Sequence, residues 1–461
     1  MYKRRTFLKS GILAAIGAGL NSSVNSQNVQ QDKETDSAVL YKRNVPLRYD
    51  ADIVVTGGGI AGISAAAAAS VSGAKVILIE RFANLGGMLT TGGVAHFCGQ
   101  IEEQGEVFEQ IIQDLKRYNA LGEGTKETVF NYEILSLILQ EILLERGVKI
   151  LFHSRLVDVL TKGNTIKECI ISGKSGLEAV RAKVFIDCTG DADLARYAGV
   201  STMKGDDRTG YQLPMSKMAF VREVNKEDFV QQVPDNWLNQ IREKNNLPMV
   251  SVWADGPGGK ALKIKIPMFD STSTESITRA EIQARRRTMD VLSYYQKVEN
   301  KNWRLTHSAP MIGVREGCRV EGDYVLTVDD LRAGRTFNDG IARGTFYLDG
   351  HGLTDDKRTY ILPKDQLKVP PYQIPMRCLI SKDSDNLLVA GRCLSAEQLA
   401  LSYARVSTTC SMMGQASGIA AGMAVQRKTK IRKIDYKEIQ NEVLYRGAQL
   451  DVSEQKYPVH G

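Results

Sequence analysis

Proline is scarce in this chain, at 12 of 461 residues, and so are histidine, at five, and cysteine, at seven. With 41 glycines that follow no three-residue period, a collagen-like chain is excluded. A composition 43% hydrophobic and 25% charged excludes a disordered one. The cysteines, at 98, 169, 188, 318, 378, 393 and 410, are odd in number and form no C-x-x-C pair. They offer neither a disulfide framework nor four ligands for an iron–sulfur cluster, and no metal site is expected. Charge of one sign is also in short supply. The net balance is +7, and Lys3, Arg4, Arg5 and Lys9 supply four of those charges with no acid beside them. What remains is nearly neutral, so no nucleic-acid partner is expected. No segment beyond the N-terminus is apolar for the roughly 20 residues a membrane helix needs.

What is present begins with the first 26 residues. A basic start leads into a short apolar stretch, Gly11 to Leu20, and then a small polar tail, the layout of an export signal. Ten apolar residues are too few to span a bilayer, so no transmembrane anchor should remain after cleavage near Ser26. The string Arg4-Arg5-Thr6-Phe7-Leu8-Lys9 resembles the bacterial twin-arginine signal. That resemblance implies a protein that folds in the cytoplasm around a cofactor and is then exported to the periplasm. Residues 27–46 read as a flexible polar leader.

The next feature is a nucleotide fingerprint. A short apolar strand, Ala51 to Val55, runs into Gly57-Gly58-Gly59-Ile60-Ala61-Gly62. An alanine-rich helix is expected from Ser64 to Ser72, then a second strand, Lys75 to Ile79, ending on Glu80. Gly57 permits the tight turn, Gly59 lets backbone approach a pyrophosphate, and Gly62 allows close helix–strand packing. The helix N-terminus offers free N–H groups to phosphate, and Glu80 stands where an acid meets ribose hydroxyls. The following residues, Arg81 through Leu85-Gly86-Gly87-Met88-Leu89-Thr90-Thr91, resemble the E-x(5)-G-G-x-x-T signature of FAD enzymes of the glutathione-reductase structural class. The resemblance implies FAD, with Arg81, Gly86, Gly87 and Thr91 near it. No second strand-borne fingerprint occurs, and Gly256-Pro257-Gly258-Gly259 reads as a loop, so no NAD(P)H domain is expected.

Further along, Tyr132 to Arg146 has helical periodicity and ends at Gly147. Alternating runs at 156–161, 166–172 and 178–182 predict a small antiparallel meander before a core strand, Val184 to Cys188. That strand delivers Thr189-Gly190-Asp191-Ala192-Asp193. Gly190 and Asp191 are placed against the cofactor, and Asp191 and Asp193 could also cap the following helix. A charged helix is expected over 278–297, with Arg285, Arg286 and Arg287 on a solvated face. Asn386 to Gly391 reads as a buried parallel strand, followed by Arg392, and a helix from about 407 to 424 carries Gly414, Gly418 and Gly422 as a flat ridge.

Together GGGIAG, LGGMLTTGG, FIDCTGDAD, IGVREGCRVEGDYVLT, PYQIPMRCLI and DNLLVAGRCLSAEQLA resemble the bacterial FAD-dependent oxidoreductase family, related to fumarate-reductase flavoproteins and distantly to the heterodisulfide-reductase flavin subunit. The implied fold is α/β: a discontinuous Rossmann-like FAD domain (47–200 and 376–430), an inserted α+β substrate domain (201–375) and a C-terminal tail (431–461). The resemblance implies Gly391, Arg392, Gly414 and Gln415 as further cofactor contacts. The implied activity is hydride transfer between a small organic substrate and flavin N5, with electrons exchanged with a quinone, a cytochrome or another carrier protein. Reduction of an unsaturated carboxylate is the alternative direction, and a flavin-binding protein without turnover is the third reading. Arg315 and Arg319, four apart, would share a helix face as a carboxylate clamp or else pair with local acids; Arg405 could serve either purpose. His96, His307 and His351 are the candidate proton acceptors. Cys98 raises a thiol reading but has no second cysteine beside it.

Overall fold

Five short runs of apolar, mostly branched residues make the centre of the molecule. Strands Leu387–Val389, Val184–Asp187, Ile53–Thr56, Val76–Ile79 and Lys149–Leu151 lie side by side in that order, all parallel. The first four are buried on both faces, as a parallel sheet between two layers requires. Period-two alternation sends Ile53, Val55, Leu78 and Ile186 into one core, and Val54, Ile77 and Phe185 into the other. The structure is a computed structural model and describes residues 39–122, 128–237, 240–357 and 360–453. The expected signal segment, and the leader up to residue 38, lie outside the described residues. Contacts divide the chain into Met1–Asn44 and Val45–Gly461; of the first, only residues 39–44 are described, without regular secondary structure.

One face of the sheet is covered by helices Ile60–Ser70, Tyr132–Glu145 and Ser407–Gln426. The first begins four residues before the expected start, directly after Gly59. Its five consecutive alanines, Ala65 to Ala69, leave little bulk, and the glycine ridge of Ser407–Gln426 lies on them. A Cβ at Gly414 would stand 2.1 Å from Ala61 O, and one at Gly418 2.2 Å from Ala65 O. The other face carries the expected meander, Arg155–Lys162, Thr165–Gly173 and Gly176–Arg181, extended by a parallel strand Leu47–Asp50.

The segment after residue 201 builds a second sheet, antiparallel, in the order Val250–Ala254, Gly259–Ile266, Met215–Glu223 and Trp303–Ser308. Its outer face packs against helix Thr274–Lys297 through Ile264, Ile266, Ala280 and Leu292. That helix starts four residues early because Ser273 accepts a capping bond from Ser276 N. The inner face sets Met218, Phe220 and Ala261 against the loop after Gly92. Strands Gly340–Gly344 and Tyr372–Pro375 pair with each other, and Ile341, Tyr372 and Ile374 join the helical core of the nucleotide fold. Residues 436–445 form a helix that buries Ile439 and Val443.

A candidate FAD and substrate crevice

The carboxyl ends of the parallel strands open into a crevice enclosing about 1600 Å³, part of it open to solvent. In α/β sheets this is where ligands bind. Gly57 has φ +97°, and a Cβ there would lie 2.4 Å from Cys188 O; one at Gly62 would lie 1.9 Å from Gly57 O. Both glycines are therefore required by packing. Gly59 differs: it lines the crevice, and a Cβ on it would meet nothing within 4 Å. The helix that follows has no side-chain cap, so its first N–H groups face the crevice free.

Glu80 is buried and lines the same space. Its Oε2 accepts from Gly58 N at 2.6 Å and its Oε1 from Phe82 N at 2.9 Å. The acid thus ties the first turn to the second strand and keeps further lone pairs for a ribose. Gly86 N donates to Gly58 O at 2.8 Å, which lays the double-glycine loop along the fingerprint turn with Gly87 against Gly59. Arg392 crosses Gly190, whose φ is +84°, and its Nη2 sits 3.4 Å from Asp191. Its Nε is buried without a partner. Gly391, Arg392, Gly190 and Arg81 all line the crevice. An open cradle at Gly59, uncapped N–H groups and an orphaned guanidinium N–H fit a bound dinucleotide.

Several expected contacts lie elsewhere. Thr91 donates to Asn84 Oδ1 at 2.8 Å and braces its own loop. Asp191 is packed against Gly317, while Asp193 lines the crevice, its pKa raised to about 6 by burial and by Asp191. Gly414 serves the helix contact, and Gln415 packs on Gly105. Residues 315–318 are not helical, and Arg319 falls in a two-residue strand, so the two arginines share no helix face. Arg319 is sealed against Glu316 at 2.6 Å and belongs to the core. A Cβ at Gly317 would lie 2.2 Å from Asp191 Oδ1, and one at Gly313 3.0 Å from Ser216 O, a close approach of extended chain in place of a helix.

The other end of the crevice gathers His96, Cys98, Lys263, Arg315, Asp349 and Arg405, together with the start of helix Ser407–Gln426. Arg315 is 7% exposed and donates Nη1 to Pro214 O at 2.7 Å; burial pulls its pKa down to about 10. Arg405 donates Nη2 to Asp349 Oδ2 at 2.8 Å. Burial works to raise the Asp349 pKa, but His351, Arg405 and Arg315 outweigh it and hold the carboxyl below its ordinary range. His351 lies behind, 1% exposed, with Nε2 3.0 Å from Asp349 Oδ1. Burial and Arg315 lower its pKa to about 3, so it is neutral at pH 7. His307 stacks on Phe220 and meets Tyr132 Oη, away from the crevice. Of the three histidines only His96 lines the crevice, with Nε2 2.8 Å from Thr128 Oγ1. Burial pushes the Cys98 thiol up to about 11, which leaves it protonated and unreactive.

Lys263 and Asp349 are functional candidates that the sequence did not mark. Lys263 sits in an ordinary alternating strand, and Asp349 is 56 residues from its partner Arg405. The one available signal is that Lys263 and Lys265 alternate with Leu262, Ile264 and Ile266, which puts two lysines on the inward face of the strand.

Residues 52–443 match the family model described as FAD dependent oxidoreductase. A 63-residue stretch is 40% identical to a cinnamate reductase of Clostridium sporogenes, covering 14% of this chain and 10% of that protein. Among solved structures, a geranylgeranyl bacteriochlorophyll reductase-like protein from Thermoplasma acidophilum is 12% identical, with TM-score 0.44, over 86% of this chain and 83% of the other. The OxyS anhydrotetracycline hydroxylase of Streptomyces rimosus is 13% identical, with TM-score 0.43, over 86% and 65%. With the parallel sheet, the fingerprint turn and the crevice they open, the match over most of its length establishes that this chain belongs to the FAD dependent oxidoreductase family and uses FAD.

Proposed function

We propose that the protein reduces the carbon–carbon double bond of an unsaturated carboxylate. The observation that carries this reading is the charge at the substrate end: Lys263, Arg315 and Arg405 line the crevice against one carboxylate, Asp349. An excess of buried positive charge is costly unless an anion joins it. Asp349 satisfies Arg405 in part, and a substrate carboxylate would complete the set, held by guanidinium forks that suit its two oxygens. FAD, when bound and reduced, supplies the hydride. The uncapped start of helix Ser407–Gln426, whose Val406 and Ser407 line the crevice, brings a positive dipole end that favours negative charge in the bound cofactor. The resemblance to a family related to fumarate-reductase flavoproteins, and the short stretch similar to a cinnamate reductase, support the same direction.

The N-terminal string supports export by the twin-arginine route to the periplasm, where a quinone, a cytochrome or another carrier protein would supply electrons. The opposite direction, oxidation of a small organic substrate, draws on His96, which lines the crevice where a proton acceptor would be needed. Anaerobic holoenzyme reduced by light decides between them. Recovery of the oxidised flavin absorbance on adding cinnamate or fumarate is expected. Bleaching of oxidised enzyme by saturated hydroxy acids, with no reoxidation by either enoate, would reverse the assignment.

A further inference from the structure

Three cations reach the substrate end, and they are held differently. Arg315 is fixed by Pro214 O and Arg405 by Asp349. Among the described residues the Lys263 ammonium has no hydrogen-bond or ion-pair partner; its Nζ stands 6.0 Å from the centre of the Trp253 ring. Two lysines of the same sheet show the contrast. Lys265 donates Nζ to Asp355 O at 2.6 Å, and Lys217 pairs with Glu281 at 2.9 Å. The sheet anchors its fully buried lysines and leaves free the one that faces the crevice.

A free ammonium beside two fixed guanidiniums divides their labour. Guanidinium holds its proton and binds in a planar fork, whereas an ammonium can give a proton up. The surroundings favour release. Burial lowers the Lys263 pKa, Arg315 and Arg405 lower it further, and Asp349 and Cys98 oppose them.

Building on the enoate-reductase reading, we propose that Lys263 is the catalytic acid, giving a proton from Nζ to the carbon α to the substrate carboxylate while Arg315 and Arg405 hold that carboxylate. An N–H bond of Lys263 breaks, and the electron pair of the C=C π bond forms the new Cα–H bond. The β-carbon receives the hydride that reduced FAD supplies, so the substrate gains two electrons and two hydrogens. Lys263 is left as a neutral amine and regains its proton from solvent.

The test uses FAD-loaded wild type, Lys263→Gln and Lys263→Arg, with cinnamate as the probe. Binding is read from the perturbed flavin spectrum of oxidised enzyme, and chemistry from single-turnover reoxidation of reduced enzyme. Reoxidation should slow by roughly 10²–10⁴-fold in both variants, while Lys263→Arg binds cinnamate within about threefold of wild type. Lys263→Arg reoxidising at the wild-type rate overturns the assignment and leaves the reductase reading standing. A wild type that neither cinnamate nor fumarate reoxidises overturns both. Should the variants fail to hold FAD, acetylation of the wild-type protein across pH, read peptide by peptide, decides instead. Lys263 should react at lower pH than Lys260 and be shielded by cinnamate; matching Lys260, or no shielding, refutes the role.

Discussion

Two glycines of one motif do different work, and single methyl groups can separate them. At Gly62 an added Cβ meets backbone at 1.9 Å, so Gly62→Ala should lower the stability of apo protein by about 2–3 kcal/mol, seen as a lower Tm. At Gly59 the backbone is ordinary, with φ −72°, and the space is open. Gly59→Ala should therefore melt with wild type, yet bind FAD at least about tenfold more weakly, because close approach to the phosphates is lost. A second residue-scale expectation concerns acid. The folded-state pKa of His351 is about 3, below its ordinary 6.5. The folded state thus resists a proton that the unfolded chain accepts, and stability falls as pH drops from about 6.5 toward 3. His351→Gln removes that linkage. Its melting temperature should decline less than wild type's between pH 7 and pH 4.5; an equal decline would mean that other groups set the acid limit.

Helices and strands were legible wherever a local pattern was enough. The 132–145 helix, the meander and the strand before Gly391 stand where periodicity placed them. Helix Thr274–Lys297 starts before its expected position because Ser273 caps it, and of the two readings of Arg315 and Arg319 the pairing with a local acid holds for Arg319, which meets Glu316, while no helix forms to carry a shared face. The central helix pair tests the packing account directly. Gly418 faces Ala65 O at a distance no side chain tolerates, so Gly418→Val must push the two helices apart. The expected cost is about 3 kcal/mol or more, together with loss of bound FAD, since both helices start at the crevice. Val at Gly422 should cost less. There the Ser72 Cβ, 2.8 Å away, belongs to the turn beyond the end of helix Ile60–Ser70, and the nearest helix backbone, Ala69 O, is 3.6 Å away. Equal Tm losses would place the close contact elsewhere.

At the scale of the whole molecule, the proposed twin-arginine export would require the chain to fold around FAD before it leaves the cytoplasm. Replacing Arg4 and Arg5 together by lysine should leave FAD-loaded protein in the cytoplasm, measured by fractionation and flavin fluorescence, with the folded enzyme's spectrum unchanged. The FAD fold itself was legible from sequence because its signals are contiguous. Strand, turn, helix start, second strand, acid and double glycine occupy residues 53–87, each needed for a local backbone reason. Arg315, from its spacing to Arg319, and Arg405, in the loop before a helix, were legible as candidate anion binders, but the company they keep was not. Residues 98, 263, 315, 349 and 405 come from widely separated parts of the chain and meet only when the second sheet closes over the first. Sequence alone determined the cofactor, since backbone geometry around a phosphate is written in neighbouring residues. Tertiary structure decided which cations are pinned, which is free and which histidine is buried, because burial and Coulomb interaction depend on distance through space rather than along the chain.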